Sequence, residues 1–114
     1  MKKEFPSLVE KVIEALEAKK AVDVRVLDLR KVANYADYLV VCSGTSTTHV
    51  NALVETVIDE MPKRDKPVYV NNSKDNSWWI LDFVDVVLHV FREDTRAYYD
   101  LEGLWSDAES VTPV

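Results

Sequence analysis

Tyr38-Leu39-Val40-Val41-Cys42 is an unbroken apolar run that stops at Ser43-Gly44. Side chains on a strand alternate between its two faces, so a continuous apolar run suits a strand buried on both. The run is too short for a typical buried helix, and turn residues bound it. The next segment is helical in period. Thr45 to Thr48 supply hydroxyls for an N-cap. Val50, Leu53, Val54, Val57, Ile58 and Met61 then recur at i, i+3, i+4, i+7, i+8 and i+11, and Pro62 ends the pattern. Pro67-Val68-Tyr69-Val70 is the next strand. Strand, helix and strand read as a βαβ unit with a right-handed crossover and two parallel strands.

The flanking segments extend this frame. Ser7-Leu8-Val9-Glu10 fits a capping box, and Leu8, Val12, Ile13 and Leu16 come after it at helical spacing, giving a helix over about 6–19. Val24, Val26 and Leu29 mark a strand at about 23–29, and Lys31 to Ala36 is a turn or short helix. Asn71 to Asn76 is a polar loop. Trp78–Leu81 and Val86–Phe91 are two strands joined by Asp82-Phe83-Val84-Asp85, short enough for an antiparallel hairpin. Asp94 to Trp105 reads as helix with a break near Gly103. The pattern predicts a single α/β domain over 1–114, with a core at about 6–106 and a frayed tail from 107 to 114. Its sheet is mixed, with about five strands and helices mainly on one face.

Charge and cysteine content restrict the function. Twenty acidic residues against 14 basic ones leave a net charge of −6. Non-specific binding to nucleic acid needs clustered Lys and Arg, and this chain has no basic stripe, so neither a direct grip on RNA nor a membrane-surface role is expected. An acidic domain suits a basic protein partner. No apolar run approaches the ~18 residues of a bilayer span, and Met1 to Val12 has no secretory apolar segment, so the expected compartment is the cytoplasm. The single cysteine, Cys42, lies in the apolar run and reads as a core residue.

Candidate chemistry is sparse. Asp82 and Asp85 flank the hairpin, but two carboxylates on one cation need a strand spacing of two, so turn capping is the simpler role. Asp23 and Asp28 also lack that spacing. His89 interrupts the last apolar strand and shares a face with Val87 and Phe91; nothing near it completes a zinc site. His49 opens the second helix without catalytic companions. Ser43 to Thr48 lacks the second glycine and the lysine of a phosphate-binding loop. The expectation is no catalytic residue, no metal and no cofactor. The adjacent Trp78 and Trp79 must point to opposite faces, so one of them faces the helices and the other is open to solvent or a partner.

Three segments are similar to one family. Ala36–Gly44 resembles the "TDYFVIASG" block of the ribosomal silencing factors, also called the Iojap family. Trp78–Phe91 resembles their "WVLLDYGDVVVHVF" block, and Arg96–Trp105 their "REFYDLERLW" block. Order and spacing match from about 7 to 108. The resemblance implies a nucleotidyltransferase-like fold without catalytic carboxylates, and a non-enzymatic protein that is often a homodimer. It implies binding to the large ribosomal subunit through large-subunit ribosomal protein fourteen. Subunit joining is then blocked sterically and translation falls when nutrients are scarce. Organellar relatives imply an alternative role in large-subunit assembly; an enzyme of nucleotidyltransferase type is the remoter alternative. The residues expected to make or support protein contacts are Trp78, Asp82, His89, Tyr99, Asp100 and Trp105. The chain departs from the family pattern at Val84, where a hairpin glycine is usual, at His49, where a glutamine is usual, at Thr48, often an arginine, and near Asn71-Asn72. Val84 predicts an altered hairpin, because a turn glycine often marks a positive φ.

Overall fold

In the computed structural model, residues 6–32, 36–100, 103 and 109–110 are described. The first helix, α1 (Ser7–Ala18), buries Val9, Val12, Ile13, Ala15 and Leu16. It starts one residue earlier than a capping box would allow. Pro6 holds the N-cap position, no side chain caps the helix, and Pro6 O accepts from Glu10 N–H at 3.2 Å. Ser7 is thus the first helical residue, where a preceding Pro has already set the entry angle.

Strand β1 (Val22–Asp28) pairs antiparallel with β2 (Tyr38–Gly44). A bulge lies between Val22 and Arg25, where Asp23 adopts φ 48°. Every residue of β2 is buried, as its continuous apolar run requires. Helix α2 (Thr47–Glu60) comes next, capped by Ser46, whose Oγ accepts from His49 N–H at 3.1 Å. Gly44 makes the strand-to-helix turn possible: a Cβ there would stand 2.9 Å from both Val50 N and Val50 Cγ2.

A single turn of 3-10 helix (Lys63–Asp65) leads to β3 (Tyr69–Asn72) at the sheet edge. Strands β4 (Trp78–Asp82) and β5 (Val86–Arg92) form the expected antiparallel hairpin, with Trp78 opposite Phe91 and Asp82 opposite Val87. The last helix, α3 (Glu93–Tyr99), begins directly after β5 and stops at Asp100, whose φ of 45° is left-handed. The expected helix over Asp94 to Trp105 thus breaks at Asp100, and Gly103 is itself helical; Leu101, Glu102, Leu104 and Trp105 lie outside the described residues. Within the tail, β6 (Glu109–Ser110) pairs with β1 at Asp28 and Leu27, so these two residues are not frayed.

The sheet order is β3-β4-β5-β2-β1-β6. β2 and β3 run parallel, as the βαβ reading expects, but they are not neighbours: β5 and β4 lie between them. The parallel neighbour of β2 is β5, in register from Tyr38/Val86 to Gly44/Arg92, and β3 pairs antiparallel with β4. The chain leaving α2 passes over two strand positions that β5 and β4 later fill. Sequence periodicity shows the βαβ alternation but is blind to such skipped positions.

Two apolar layers result. On one side α1 and α2 pack over Val26, Val40, Cys42, Leu81, Val86, Leu88 and Val90, with Trp79 against the layer's edge. On the other side Leu27, Leu29, Leu39, Val41, Val87 and Phe91 are buried, with Trp78 and Ile80 packed against them. Burial of each large aliphatic side chain contributes roughly 1.5–3 kcal/mol. The two tryptophans do face opposite ways, as strand alternation demands.

Candidate interaction surface

Alternation along β4 puts Trp78, Ile80 and Asp82 on the face opposite α1 and α2. Their register partners on β5 are Phe91, His89 and Val87. The Trp78 ring stacks on Phe91 with centroids 5.0 Å apart and meets the Tyr99 ring of α3 at 4.6 Å. Its indole Nε1–H donates to His89 Nδ1 at 3.0 Å. A nitrogen that accepts this bond carries no proton, so His89 is neutral with its proton on Nε2. Burial holds the imidazole well below its usual range, at about 4, which agrees with a neutral ring.

The outer part of this face is open. Ile80 and Trp78 are half-buried, and Tyr69, which faces Asp82 across the β3–β4 pair, is exposed. On α3 Tyr99 is 52% exposed and Tyr98 82% exposed, their rings edge to face at 5.1 Å. Through the Trp78–Tyr99 and Tyr98–Tyr99 ring contacts these side chains form one contiguous exposed aromatic patch, the kind of surface that marks an interaction site. Ser73, Asp75, Ser77, Asp94, Thr95, Tyr98 and Tyr99 line a shallow cleft of about 380 Å³ beside this patch. Asp75 accepts from the hydroxyls of Ser77 and Ser73 at 2.7 and 2.8 Å, which holds its carboxyl down at about 2.

The structure thus brings Trp78, His89 and Tyr99 into one cluster, with Asp82 further along the same strand face. Asp82 Oδ1 also accepts from Val84 N–H at 2.7 Å, the turn-capping role its position suggests. His89 is 3% exposed and offers no surface of its own. Asp100 points elsewhere: with Val22, Asp23, Ser43 and Arg96 it lines a second cleft at the end of β2. Trp105 lies outside the described residues. Sequence reasoning does not single out Tyr69 or Ile80, although counting by two from Trp78 reaches Ile80 directly.

Arg96 is the other residue that sequence reasoning passes over. It is buried, and its Nη1 donates to Asp23 O at 2.7 Å and Ser43 Oγ at 3.0 Å; Nη2 lies 3.7 Å from Asp23 Oδ2. These bonds pin α3, and so both tyrosines, to β1 and β2. A charge this deep is tolerated only when its donors are paired.

The remaining candidates have structural roles. Cys42 is fully buried, which pushes its thiol up to about 12. The His49 ring accepts from Thr45 N–H at 2.9 Å through Nδ1 and, through Nε2, donates to Lys19 O at 2.8 Å, joining the start of α2 to the end of α1. Val84 itself takes the positive φ, 79°, so the hairpin keeps a left-handed residue without its glycine. Among the described residues no group of three His, Cys, Asp or Glu could hold a metal ion, and no helix is long and apolar enough to cross a membrane.

Comparison with known proteins converges on one family. The family model described as "Ribosomal silencing factor during starvation" matches residues 2–114. The Bacillus subtilis "Ribosomal silencing factor RsfS" is 36% identical over 103 residues, spanning 90% of this chain and 87% of that one. The mouse "Mitochondrial assembly of ribosomal large subunit protein 1" is 31% identical over 102 residues, 86% of this chain and 45% of the mouse protein. A crystal structure of a Chromobacterium violaceum protein superposes with a TM-score of 0.83 at 31% identity, covering 91% of this chain and 88% of that one. The chain belongs to the ribosomal silencing factor family.

Proposed function

We propose that the chain binds the large ribosomal subunit through large-subunit ribosomal protein fourteen, on the face that meets the small subunit, and so blocks subunit joining. The observation that carries this reading is the open aromatic face of Trp78, Ile80, Tyr69 and Tyr99, which lies outside the helix-covered core. Tyr and Trp are the commonest anchors of protein interfaces. The net charge of −6 complements a basic ribosomal surface and raises the encounter rate. Trp78, Asp82 and Tyr99 make the contacts on this face, with His89 behind them; Asp100, at the second cleft, and Trp105 are added to the contact set on the family resemblance alone. An interface of ~800 Å² per partner suffices for specific binding. If it overlaps the small subunit's footprint, the two binding events exclude one another and no catalysis is required.

In this reading the protein acts in the cytoplasm as a translational repressor under nutrient limitation, with a homodimer as its resting form. The nucleotidyltransferase-like architecture serves as a scaffold. The name of the mouse relative favours a second reading, a large-subunit assembly factor working through the same surface. Co-sedimentation with separated subunits tests the proposal. The protein should travel with large subunits and suppress joined ribosomes when small subunits are added. Equal pelleting with both subunits, or with neither, refutes it. Enrichment on immature particles alone favours the assembly reading.

A further inference from the structure

Trp78 is the largest side chain of the open face, and it is not a free one. Its ring is held on three sides, by Phe91 at 5.0 Å, Tyr99 at 4.6 Å and His89 at 5.9 Å between centroids. Its only hydrogen-bond donor is directed inward, to Nδ1 of a histidine that is itself 3% exposed. An indole has two side-chain torsions, and ring packing alone leaves flipped rotamers close in energy. The Nε1–H···Nδ1 bond breaks that degeneracy, because only one flip brings the N–H over His89. A phenylalanine or leucine at 89 would suit the surrounding apolar layer equally well but would take the acceptor away from a part-buried N–H.

From this geometry we propose that His89 is a positioning residue for docking: it fixes the Trp78 indole in one orientation and takes up its N–H, so that Trp78 meets its partner through ring carbon alone. The partner group at that point is then an apolar side chain or a backbone stretch without an unsatisfied acceptor. Polar recognition is left to the surrounding acidic groups. This inference rests on the docking role proposed above. Pre-ordering an anchor removes the entropy cost of fixing it on binding.

Two variants separate positioning from mere packing. His89→Phe keeps a planar ring and removes the acceptor. His89→Gln keeps a side-chain acceptor in a non-aromatic group. The readouts are the Trp78 indole N–H resonance, identified by its loss in Trp78→Phe, and co-sedimentation with purified large subunits. In the wild-type protein the indole N–H should exchange with solvent at least tenfold more slowly than in free indole. His89→Phe should lose that protection and bind large subunits several-fold more weakly; His89→Gln should recover part of both. Wild-type-like large-subunit binding by folded His89→Phe overturns the inference, as does an unprotected indole N–H in the wild-type protein. If neither variant folds, the wild-type exchange rate decides alone. A wild-type protein that binds no large subunits defeats the docking role instead, while the exchange measurement still shows whether His89 holds Trp78.

Discussion

Stability should fall on mild acidification because of one buried imidazole. His89 sits at about 4 in the folded protein because burial penalises its charged form, whereas an unfolded-chain histidine titrates near ~6.5. Between those values the unfolded state takes up a proton that the folded state refuses. Stability is therefore full above about 6.5 and is lost progressively as the pH falls toward 4. At pH 5 the linkage relation gives a loss of about 2 kcal/mol relative to pH 7.5. With an m-value of ~1–3 kcal/mol/M in urea, the midpoint moves down by about 1–2 M. The Asp75 carboxylate, held at about 2, contributes only below the window in question. Urea titrations at pH 7.5 and 5.0, followed by tryptophan fluorescence, measure the shift. His89→Gln, which has nothing to protonate, should lower stability at pH 7.5 but lose most of the difference between the two pH values. Equal pH-dependence in wild type and His89→Gln would refute the assignment of this proton to His89.

The same geometry has further measurable consequences. Val84→Gly should stabilise the protein by about 1 kcal/mol in the same urea assay, because Val84 sits at φ 79°, where a β-branched residue is strained and glycine is not. Gly44→Ala should destabilise by ~1–3 kcal/mol, since the added Cβ meets the Val50 backbone nitrogen at 2.9 Å. Cys42 should resist thiol reagents at pH 8 in the folded protein and react at once in denaturant, its thiol being fully buried and pushed up to about 12. Charge reversal at Asp82 or Asp100 should weaken large-subunit binding about tenfold if each carboxylate faces a basic group; unchanged binding by both folded variants would remove them from the contact surface.

Much of the fold is legible in the sequence because period and turn chemistry are local. The run at Tyr38–Cys42 announces a doubly buried strand, and the spacing from Val50 to Met61 announces α2. Strand order is not local. Nothing between Pro62 and Pro67 shows that the chain crosses to the far edge and leaves room for β4 and β5. The capping box at Ser7 misleads because Pro6 already occupies the N-cap position. At the surface, alternation from Trp78 and Trp79 correctly separates the helix-covered face from the open one. The Trp78–His89 bond is a cross-strand register effect, diagonal to the direct Trp78/Phe91 and Ile80/His89 pairs, and periodicity cannot express it. Arg96 is hidden for a similar reason: a charged residue on a short helix reads as solvated until the fold places Asp23 and Ser43 beneath it.

The most direct test of the account is the rate of subunit joining, followed by light scattering after purified large and small subunits are mixed. Wild-type protein added to the large subunits first should suppress the joined population in proportion to its occupancy. Trp78→Ala and Tyr99→Ala, with the fold intact, should leave joining close to the uninhibited level at the same concentration. Full suppression by both variants, or no suppression by the wild-type protein at saturating binding, would contradict the claim that this aromatic face excludes the small subunit.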